Sequence, residues 1–285
     1  MKSYDSSSIN ELMGKTKDYT DSIEEALEKE ISHYSWSSFH DPMRYAVDGG
    51  KRVRPVILLL AAEAIGKQSE DPYAAAVAVE LLHTESIIHD DIIDQEISRR
   101  DRMSFHVKYG YSASVLTADF VFGMILDIAS RYRDPEVARE LSSAALRMCE
   151  GEFRELKIDP NSYRIGCEEY VSIISQKTAS LFQTSAKIGA IIGGGDKEQI
   201  NSLSNYGLHL GIAYQTQDDI LDWGDDGKIT KALEINPPEE DMLNYLKKMT
   251  QLYADKAKKD LKVLPDSPAR NHLFQLADFT VTRPI

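Results

Sequence analysis

The sequence predicts an all-α protein, and three observations support that prediction. Apolar residues recur at helical spacing in long segments, for example over residues 74–82 and 115–128. The strict alternation of apolar and polar residues that is typical of β-strands is almost absent. Residues that favour turns separate the helical segments, as at 48–50, 134–135 and 237–238. We therefore expect about ten helices joined by short loops.

The length and composition are those of a folded globular protein. The chain has 285 residues, of which 42% are hydrophobic and 28% charged, and this balance excludes disorder and fibrous architectures. No shift in composition, flexible linker or internal repeat divides the sequence. We expect a single helical domain over residues 1–285.

The charge and the cysteine content narrow the classes of function and the compartment. A formal net charge of −13 excludes a non-specific nucleic-acid binder, which needs a basic surface. The two cysteines form no zinc-binding pattern, and the first ten residues lack the apolar segment of a secretory signal. Asp119 and Asp127 interrupt the longest apolar stretch, 113–129. We expect a soluble cytoplasmic protein with reduced thiols and no transmembrane segment.

One aspartate pattern occurs twice, 128 positions apart, each time within an apolar helical segment. The first cluster is Asp90, Asp91 and Asp94, and the second cluster is Asp218, Asp219 and Asp222. Residues four apart share a helix face, where like charges repel each other and lose hydration beside apolar surface. Mg²⁺ relieves both penalties, because it prefers oxygen ligands and commonly bridges carboxylates to phosphates.

A solvated acidic face is the alternative for a single cluster, since short motifs often occur by chance. Two copies in apolar helices favour metal binding instead. Clusters that face each other across a helical bundle would hold several Mg²⁺ ions around a diphosphate.

Basic residues that could bind a diphosphate beside these acids lie in three places. Lys51, Arg52 and Arg54 follow a glycine pair, the arginines at 99–100 follow the first cluster, and Lys177 lies in an apolar helix. One arginine side chain can bind two phosphate oxygens at once, and a lysine ammonium acts as a point charge. Each place also has an alternative interpretation. The residues after the glycine pair could simply begin a helix, and the arginines at 99–100 could balance nearby acids at the surface. Lys177 could extend its side chain to water.

Two histidines lie on the first-cluster helix. His83 precedes Asp90 by seven residues and is therefore near the same helix face, although a lone histidine there is more often part of the core. His89 adjoins the first cluster, and the alternative is that it pairs with Glu85 one turn earlier.

These motifs resemble the trans-isoprenyl (polyprenyl) diphosphate synthase family, and the resemblance spans about residues 43–222. The motifs are GGKRVRP at 49–55, LLHTESIIHDDIID at 81–94 with RR at 99–100, QKT at 176–178, and YQTQDDILD at 214–222. The resemblance implies an antiparallel all-α bundle around a deep central cavity, usually dimeric. It also implies Mg²⁺-dependent head-to-tail condensation of isopentenyl diphosphate with an allylic diphosphate.

The resemblance implies a role for individual residues as well. Asp90, Asp91, Asp94, Asp218, Asp219 and Asp222 would bind Mg²⁺ on two facing walls. Lys51, Arg54, His83, Arg100 and Arg283 would hold isopentenyl diphosphate. Arg99, Lys177, Gln215 and Lys228 would contact the allylic diphosphate, with Lys231 as a substitute for Lys228 and with Thr178 beside the reacting carbons. Lys177, Thr178 and Gln215 form the expected catalytic set.

Two departures from the family pattern stand out. Asp101 replaces a glycine after the arginine pair, and the stretch after the second cluster is short. Product length in the family depends on bulk one turn before the first cluster, where this chain has Glu85 and Ser86 and no aromatic residue. This implies geranylgeranyl diphosphate or a longer polyprenyl diphosphate as the product.

Three other functions stay open at this point. A terpene cyclase or a head-to-head condensing enzyme would share the bundle and one aspartate cluster, but it would not need GGKRVRP and His83. A catalytically weakened partner subunit would explain the short stretch and Asp101, although it would not need all six aspartates. An unrelated helical protein with incidental acidic faces would have to match four spaced motifs by chance.

Overall fold

The computed structural model describes residues 6–67, 70–99, 101–159, 161–222, 228–233 and 242–282, with side chains from residue 16 onward. It confirms the predicted all-α class. Within these ranges the only sheet is a two-stranded hairpin, in which β1 (Ser98–Arg99) pairs antiparallel with β2 (Arg102–Met103).

The described residues form thirteen α-helices, more than the expected ten, because several are too short to show a periodic pattern. They are α1 Ser6–Ser32, α2 His40–Val47, α3 Val53–Ile65, α4 Pro72–Ile93, α5 Phe105–Tyr109, α6 Tyr111–Ser130, α7 Pro135–Leu156, α8 Cys167–Ile174, α9 Ser180–Ile192, α10 Lys197–Leu221, α11 Lys228–Ala232, α12 Met242–Asp260 and α13 Pro268–Thr282. A π-helical turn, Ser175–Ala179, lies between α8 and α9, and a 3₁₀ turn, Leu261–Val263, follows α12.

The helices group into two compact units. The first unit comprises Met1–Leu59 and Glu70–Leu141, and the second comprises Leu60–Ser69 and Ser142–Ile285. The single domain over residues 1–285 stays a prediction.

In the first unit, α4 is the central helix and packs against α1 and α6. Asp71 caps its start by accepting a hydrogen bond from the backbone N–H of Tyr73, and Pro72 occupies the first turn, where a missing N–H costs little. The apolar and small residues in the middle of the helix are buried. The helix ends at Ile93 and Asp94 is its C-cap residue, so the first aspartate cluster lies at the C-terminal end of α4.

In the second unit, α10 packs against α9 and α12. A capping box of Asp196 and Gln199 starts α10, and the helix ends at Asp222. The second aspartate cluster therefore lies at the C-terminal end of α10, as the first does on α4. Both cysteines are free thiols, as expected.

Among the described helices, α6 is the one long and apolar enough to pass a length-and-composition test for a membrane span. It contains Asp119 and Asp127 and packs against α4. Core helices of soluble proteins pass the same test, so α6 is weak evidence for a span.

Glycine permits the π-helical turn to pack closely against its neighbours. A Cβ added at Gly151 of α7 would overlap the backbone N of Lys177 and lie 2.8 Å from its Cα. A Cβ at Gly211 of α10 would lie 2.6 Å from the Cα of Ala179. The turn is thus held between two helix surfaces that lack side chains at the points of contact.

We expect Gly151→Ala to destabilise the protein by about 1–3 kcal/mol, because the added methyl group must displace backbone rather than a flexible side chain. Urea unfolding followed by circular dichroism would measure the loss. Glu150→Ala, at the exposed neighbouring position, is the matched control and should leave the midpoint within about 0.5 kcal/mol. Equal midpoints for the two variants would contradict the close contact at Gly151.

Candidate active site

The two aspartate clusters have the same local geometry. The backbone N–H of Asp94 donates to the carbonyl of Asp90 at 2.8 Å, and that of Asp222 donates to Asp218 at 2.9 Å. In each cluster the first and last aspartates are therefore one helical turn apart. Asp94 and Asp222 are exposed, and Asp90 and Asp218 are half-buried.

These helix ends are electrostatically suited to bind a cation. The C-terminal end of a helix carries a partial negative charge, and acidic side chains there add to it. Within the described ranges, no three or more His, Cys, Asp or Glu side chains already converge into a metal cage. Aspartate oxygens in such an open arrangement fit Mg²⁺, which keeps several waters and takes further oxygens from phosphates.

Arg99 neutralises the buried member of the first cluster. Its Nε donates to Asp91 Oδ1 at 2.5 Å, and the Asp91 side chain is 3% exposed. Arg99 lies on β1, so the hairpin brings a cation to the end of α4. Both side chains line a small cavity of about 30 Å³, together with Thr84 and Arg102.

The structure explains why an aspartate can replace the family glycine at position 101. Asp101 lies in the hairpin turn with φ of +60°, a left-handed conformation that favours glycine. Aspartate is among the residues that adopt this conformation most readily. The replacement therefore preserves the turn that positions Arg99.

The turn before the first cluster contains a buried carboxyl group. Burial, and then the negative charges of Asp90 and Asp119, raise the pKa of Glu85 to about 7. His89 Nδ1 lies 3.4 Å from Glu85 Oε1, which is the alternative that the spacing predicted for this histidine. Burial lowers the pKa of His89, so the imidazole is mostly neutral near pH 7. The hydroxyl of Ser86 donates to the His83 carbonyl at 2.9 Å.

The three basic side chains of the GGKRVRP motif lie in different environments. Lys51 is exposed and Arg54 is half-buried, but Arg52 is 2% exposed and contacts acids of the protein itself. The sequence does not distinguish Arg52 from its neighbours. The acids that hold Arg52 lie 28 residues away on either side of it, so their contact depends on the tertiary structure.

In the second unit, the predicted catalytic residues lie on and beside the π-helical turn. Such turns often occur at functional sites. Lys177 Nζ lies 2.6 Å from Glu152 Oε2 and 2.9 Å from Glu155 Oε2. The alternative of a lysine that simply reaches water is therefore wrong. Sequence reasoning missed both glutamates, although their spacing of three on α7 could have indicated a shared face.

A hydrogen-bonded network joins the π-helical turn to the second cluster. Thr178 Oγ1 donates to Gln215 Oε1 at 2.8 Å, and Gln215 Nε2 donates to Asp219 Oδ1 at 2.9 Å. The buried Tyr170 donates its hydroxyl to Asp219 Oδ2. Burial raises the pKa of Asp219 to about 6, although both hydrogen bonds act to lower it. Sequence reasoning missed Tyr170, which lies outside every motif.

These groups line one cavity of about 140 Å³ in the second unit. Its lining residues are Glu155, Ile174, Lys177, Thr178, Gln215, Asp219, Asp222, Ile229 and Thr230. The cavity thus combines carboxylates, one lysine and apolar side chains, a set that can bind a metal–diphosphate group beside a hydrocarbon chain.

The remaining predicted residues are only partly described. Arg100 and Arg283 lie outside the described residues, as does the side chain of Lys228. Lys231 is exposed at the end of α11, and its carbonyl accepts a hydrogen bond from Arg164. The roles that the resemblance implies for these residues stay predictions.

The chain is similar to known proteins over most of its length. The polyprenyl synthetase family profile matches residues 37–235. A geranylgeranyl diphosphate synthase from Methanosarcina mazei is 30% identical over 319 aligned positions, which cover 95% of this chain and 98% of that protein.

Two solved structures support the same assignment. Geranylgeranyl pyrophosphate synthetase from Pyrococcus horikoshii superposes with a TM-score of 0.85 at 31% identity, over 97% of this chain and 100% of that one. A polyprenyl synthase from Caulobacter crescentus, complexed with calcium and isoprenyl diphosphate, gives a TM-score of 0.82 at 26% identity over 96% and 98%. With its paired aspartate clusters, the chain belongs to the polyprenyl synthetase family and is a prenyltransferase.

Proposed function

We propose that this prenyltransferase condenses isopentenyl diphosphate head to tail with allylic diphosphates, and that it releases geranylgeranyl diphosphate or a longer polyprenyl diphosphate. The observation that carries the proposal is the matched pair of acidic helix ends on α4 and α10, each beside a cation and an apolar wall. A relative of known structure binds calcium and isoprenyl diphosphate, which supports a divalent-metal–diphosphate site.

The reaction needs a leaving group whose negative charge is stabilised as it departs. Mg²⁺ bound by the six aspartates would supply most of that positive charge, and Lys177 and Arg99 would add to it. Glu152 and Glu155 hold the Lys177 ammonium beside the cavity, so it is oriented before substrate enters.

The double bond of isopentenyl diphosphate then attacks the allylic cation, and the departing diphosphate takes the proton that is lost. Lys51, Arg54 and His83 would hold isopentenyl diphosphate during the attack. Thr178 and Gln215 line the cavity wall and are locked by their hydrogen bond, so they would orient the reacting carbons. Apolar side chains such as Ile174 and Ile229 would keep water from the cation.

Small side-chain volume one turn before the first cluster supports a long product. Ser86 occupies that turn, and its hydroxyl is satisfied by its own helix, so it presents little bulk or polarity to a hydrocarbon chain. Burial raises the pKa of Glu85 to about 7, which favours the protonated form and reduces the charge on the same turn.

We also propose a homodimer that forms through α6. Four apolar side chains on one side of this helix are 39–55% exposed, namely Val115, Leu116, Phe122 and Leu126. Contiguous apolar surface of this kind commonly marks a protein interface, and a second copy supplies a matching face. The proposed location of the dimer is the cytoplasm.

A product assay tests the proposed reaction. Purified protein would be incubated with isopentenyl diphosphate, Mg²⁺ and each of the dimethylallyl, geranyl and farnesyl diphosphates, and the products would be sized by mass spectrometry. A ladder that ends at geranylgeranyl diphosphate or beyond supports the proposal. Folded protein that condenses none of the primers would refute it and favour a partner subunit.

Asp90→Asn and Asp218→Asn should each lower kcat by about 100-fold or more, because each removes a charged Mg²⁺ ligand while preserving shape. Steady-state assays over a Mg²⁺ titration would measure the effect, and excess EDTA should abolish wild-type turnover. Asp21→Asn makes the same change at an exposed position of α1 and should have no effect. Wild-type activity in both cluster variants would exclude the metal assignment.

Ser86→Phe should shorten the main product by at least one isoprene unit, because the ring would fill space one turn before the first cluster. Mass spectrometry of the product distribution would measure this. Ser86→Ala removes the hydrogen bond to His83 without adding bulk, so its products should match those of the wild type. An unchanged distribution for the phenylalanine variant would remove Ser86 from the wall of the hydrocarbon site.

Leu116→Glu should convert the dimer to monomers, because it buries a charge in the proposed interface. Light scattering after size-exclusion chromatography would measure the molar mass. Leu252→Glu, on an equally exposed leucine of α12, should leave the mass unchanged. A monomeric wild-type protein, or a Leu116→Glu variant that stays dimeric, would show that the α6 face is not the interface.

A further inference from the structure

We propose that Arg52 is a positioning residue that holds the basic loop, residues 49–54, in the conformation that presents Lys51 and Arg54 to a diphosphate. The inference rests on the proposed function for what the loop binds. In the sequence motif alone, Lys51, Arg52 and Arg54 are equivalent candidates to bind the anion. The inference gives Arg52 a different role from the other two.

The contacts of Arg52 all lie within the protein. Nε donates to Glu24 Oε1 at 2.7 Å, Nη1 donates to Glu80 Oε1 at 2.6 Å, and Nη2 donates to the Val47 carbonyl at 2.5 Å. These partners belong to α1, to α4 and to the end of α2. One guanidinium therefore ties the loop to three helices of the first unit.

Burial makes this arrangement specific to Arg52. The side chains of Arg52 and Glu80 are 1% and 3% exposed, so both charges have lost their water and depend on each other. Burial acts to lower the pKa of Arg52, but the contacts with Glu24 and Glu80 outweigh it and raise the pKa above its ordinary value. The Arg52 side chain is 1% exposed and three of its nitrogens donate within the protein, whereas the side chains of Lys177 and Arg99 are 26% and 39% exposed beside their carboxylates. Arg52 is therefore poorly placed to contact a substrate.

The backbone shows what the side chain holds in place. Arg52 has φ of +49°, a left-handed conformation that is uncommon for a residue other than glycine. Its carbonyl accepts the hydrogen bond from the Val56 N–H that starts α3, so this conformation sets how the chain enters the helix. Gly49 and Gly50 also have positive φ and supply little rigidity of their own. The side-chain contacts of Arg52 therefore restrain the loop.

A double substitution separates this positioning role from general stability. Arg52→Met with Glu80→Leu removes both buried charges and fills the space with apolar groups, a change that often leaves stability unaltered. The variant Arg52→Lys keeps a buried positive charge, but its single ammonium nitrogen cannot replace three guanidinium nitrogens that donate in different directions. Arg131→Met is the matched control, because Arg131 also pairs with an acid of α1, Glu30, and lies outside the loop.

Two measurements are needed on each purified, folded variant. Hydrogen–deuterium exchange of the peptide over residues 48–54 reports order in the loop without any activity. Steady-state kinetics gives separate KM values for isopentenyl diphosphate and for the allylic diphosphate. We expect exchange in the loop to rise at least tenfold in the Arg52 variants. We also expect KM for isopentenyl diphosphate to rise about tenfold, with kcat and the allylic KM within about twofold.

The outcomes distinguish this inference from the proposed function. Loop exchange and KM that stay at wild-type values in both Arg52 variants would overturn the positioning role. The same changes in Arg131→Met would also overturn it, because they would follow from any lost ion pair. A wild-type protein that consumes no isopentenyl diphosphate would refute the proposed function, and the exchange data would still decide whether Arg52 orders the loop.

Discussion

Negative charge gathered at the C-terminal ends of two long apolar helices is the constraint on which the rest of this structure depends. A helix end of this kind already carries a partial negative charge, and each cluster adds three carboxylates to it. Cations or hydrogen-bond donors must offset this charge in the folded protein. In the first unit Arg99 pairs with Asp91, and in the second unit hydrogen bonds from Tyr170 and Gln215 satisfy Asp219. We propose that metal ions offset the charge of the more exposed aspartates.

In each unit, carboxylates of the protein hold a cation near the aspartate cluster. Lys177 is held by two glutamates, and Arg99 by an aspartate, so both are oriented before substrate arrives. Preorganised charge of this kind stabilises a leaving group better than mobile side chains do, because little reorganisation is needed during the reaction. Gly151 and Gly211 contribute to this preorganisation, because they let the π-helical turn that contains Lys177 pack closely against α7 and α10.

Several particular features could be predicted from the sequence because they depend on local spacing. The two clusters and the contact between His89 and Glu85 involve residues a few positions apart. The all-α class and the family membership were predicted and are confirmed. Asp101 shows the limit of such reasoning. Its charge suggested a weakened site, whereas its backbone conformation shows that it preserves the hairpin turn.

The sequence by itself determined the fold class, the family and the residue types that the chemistry needs, because periodicity and motif spacing are properties of the chain alone. Tertiary structure decided which of those residues are available to a substrate. Arg52 and Lys51 are adjacent and chemically alike, yet Glu24 and Glu80 bind Arg52, while Lys51 stays exposed. Tyr170, Glu152 and Glu155 enter the site from outside every motif, because only folding brings their side chains to Asp219 and Lys177. Partners distant in sequence set burial and pairing, so neither could be derived from local pattern.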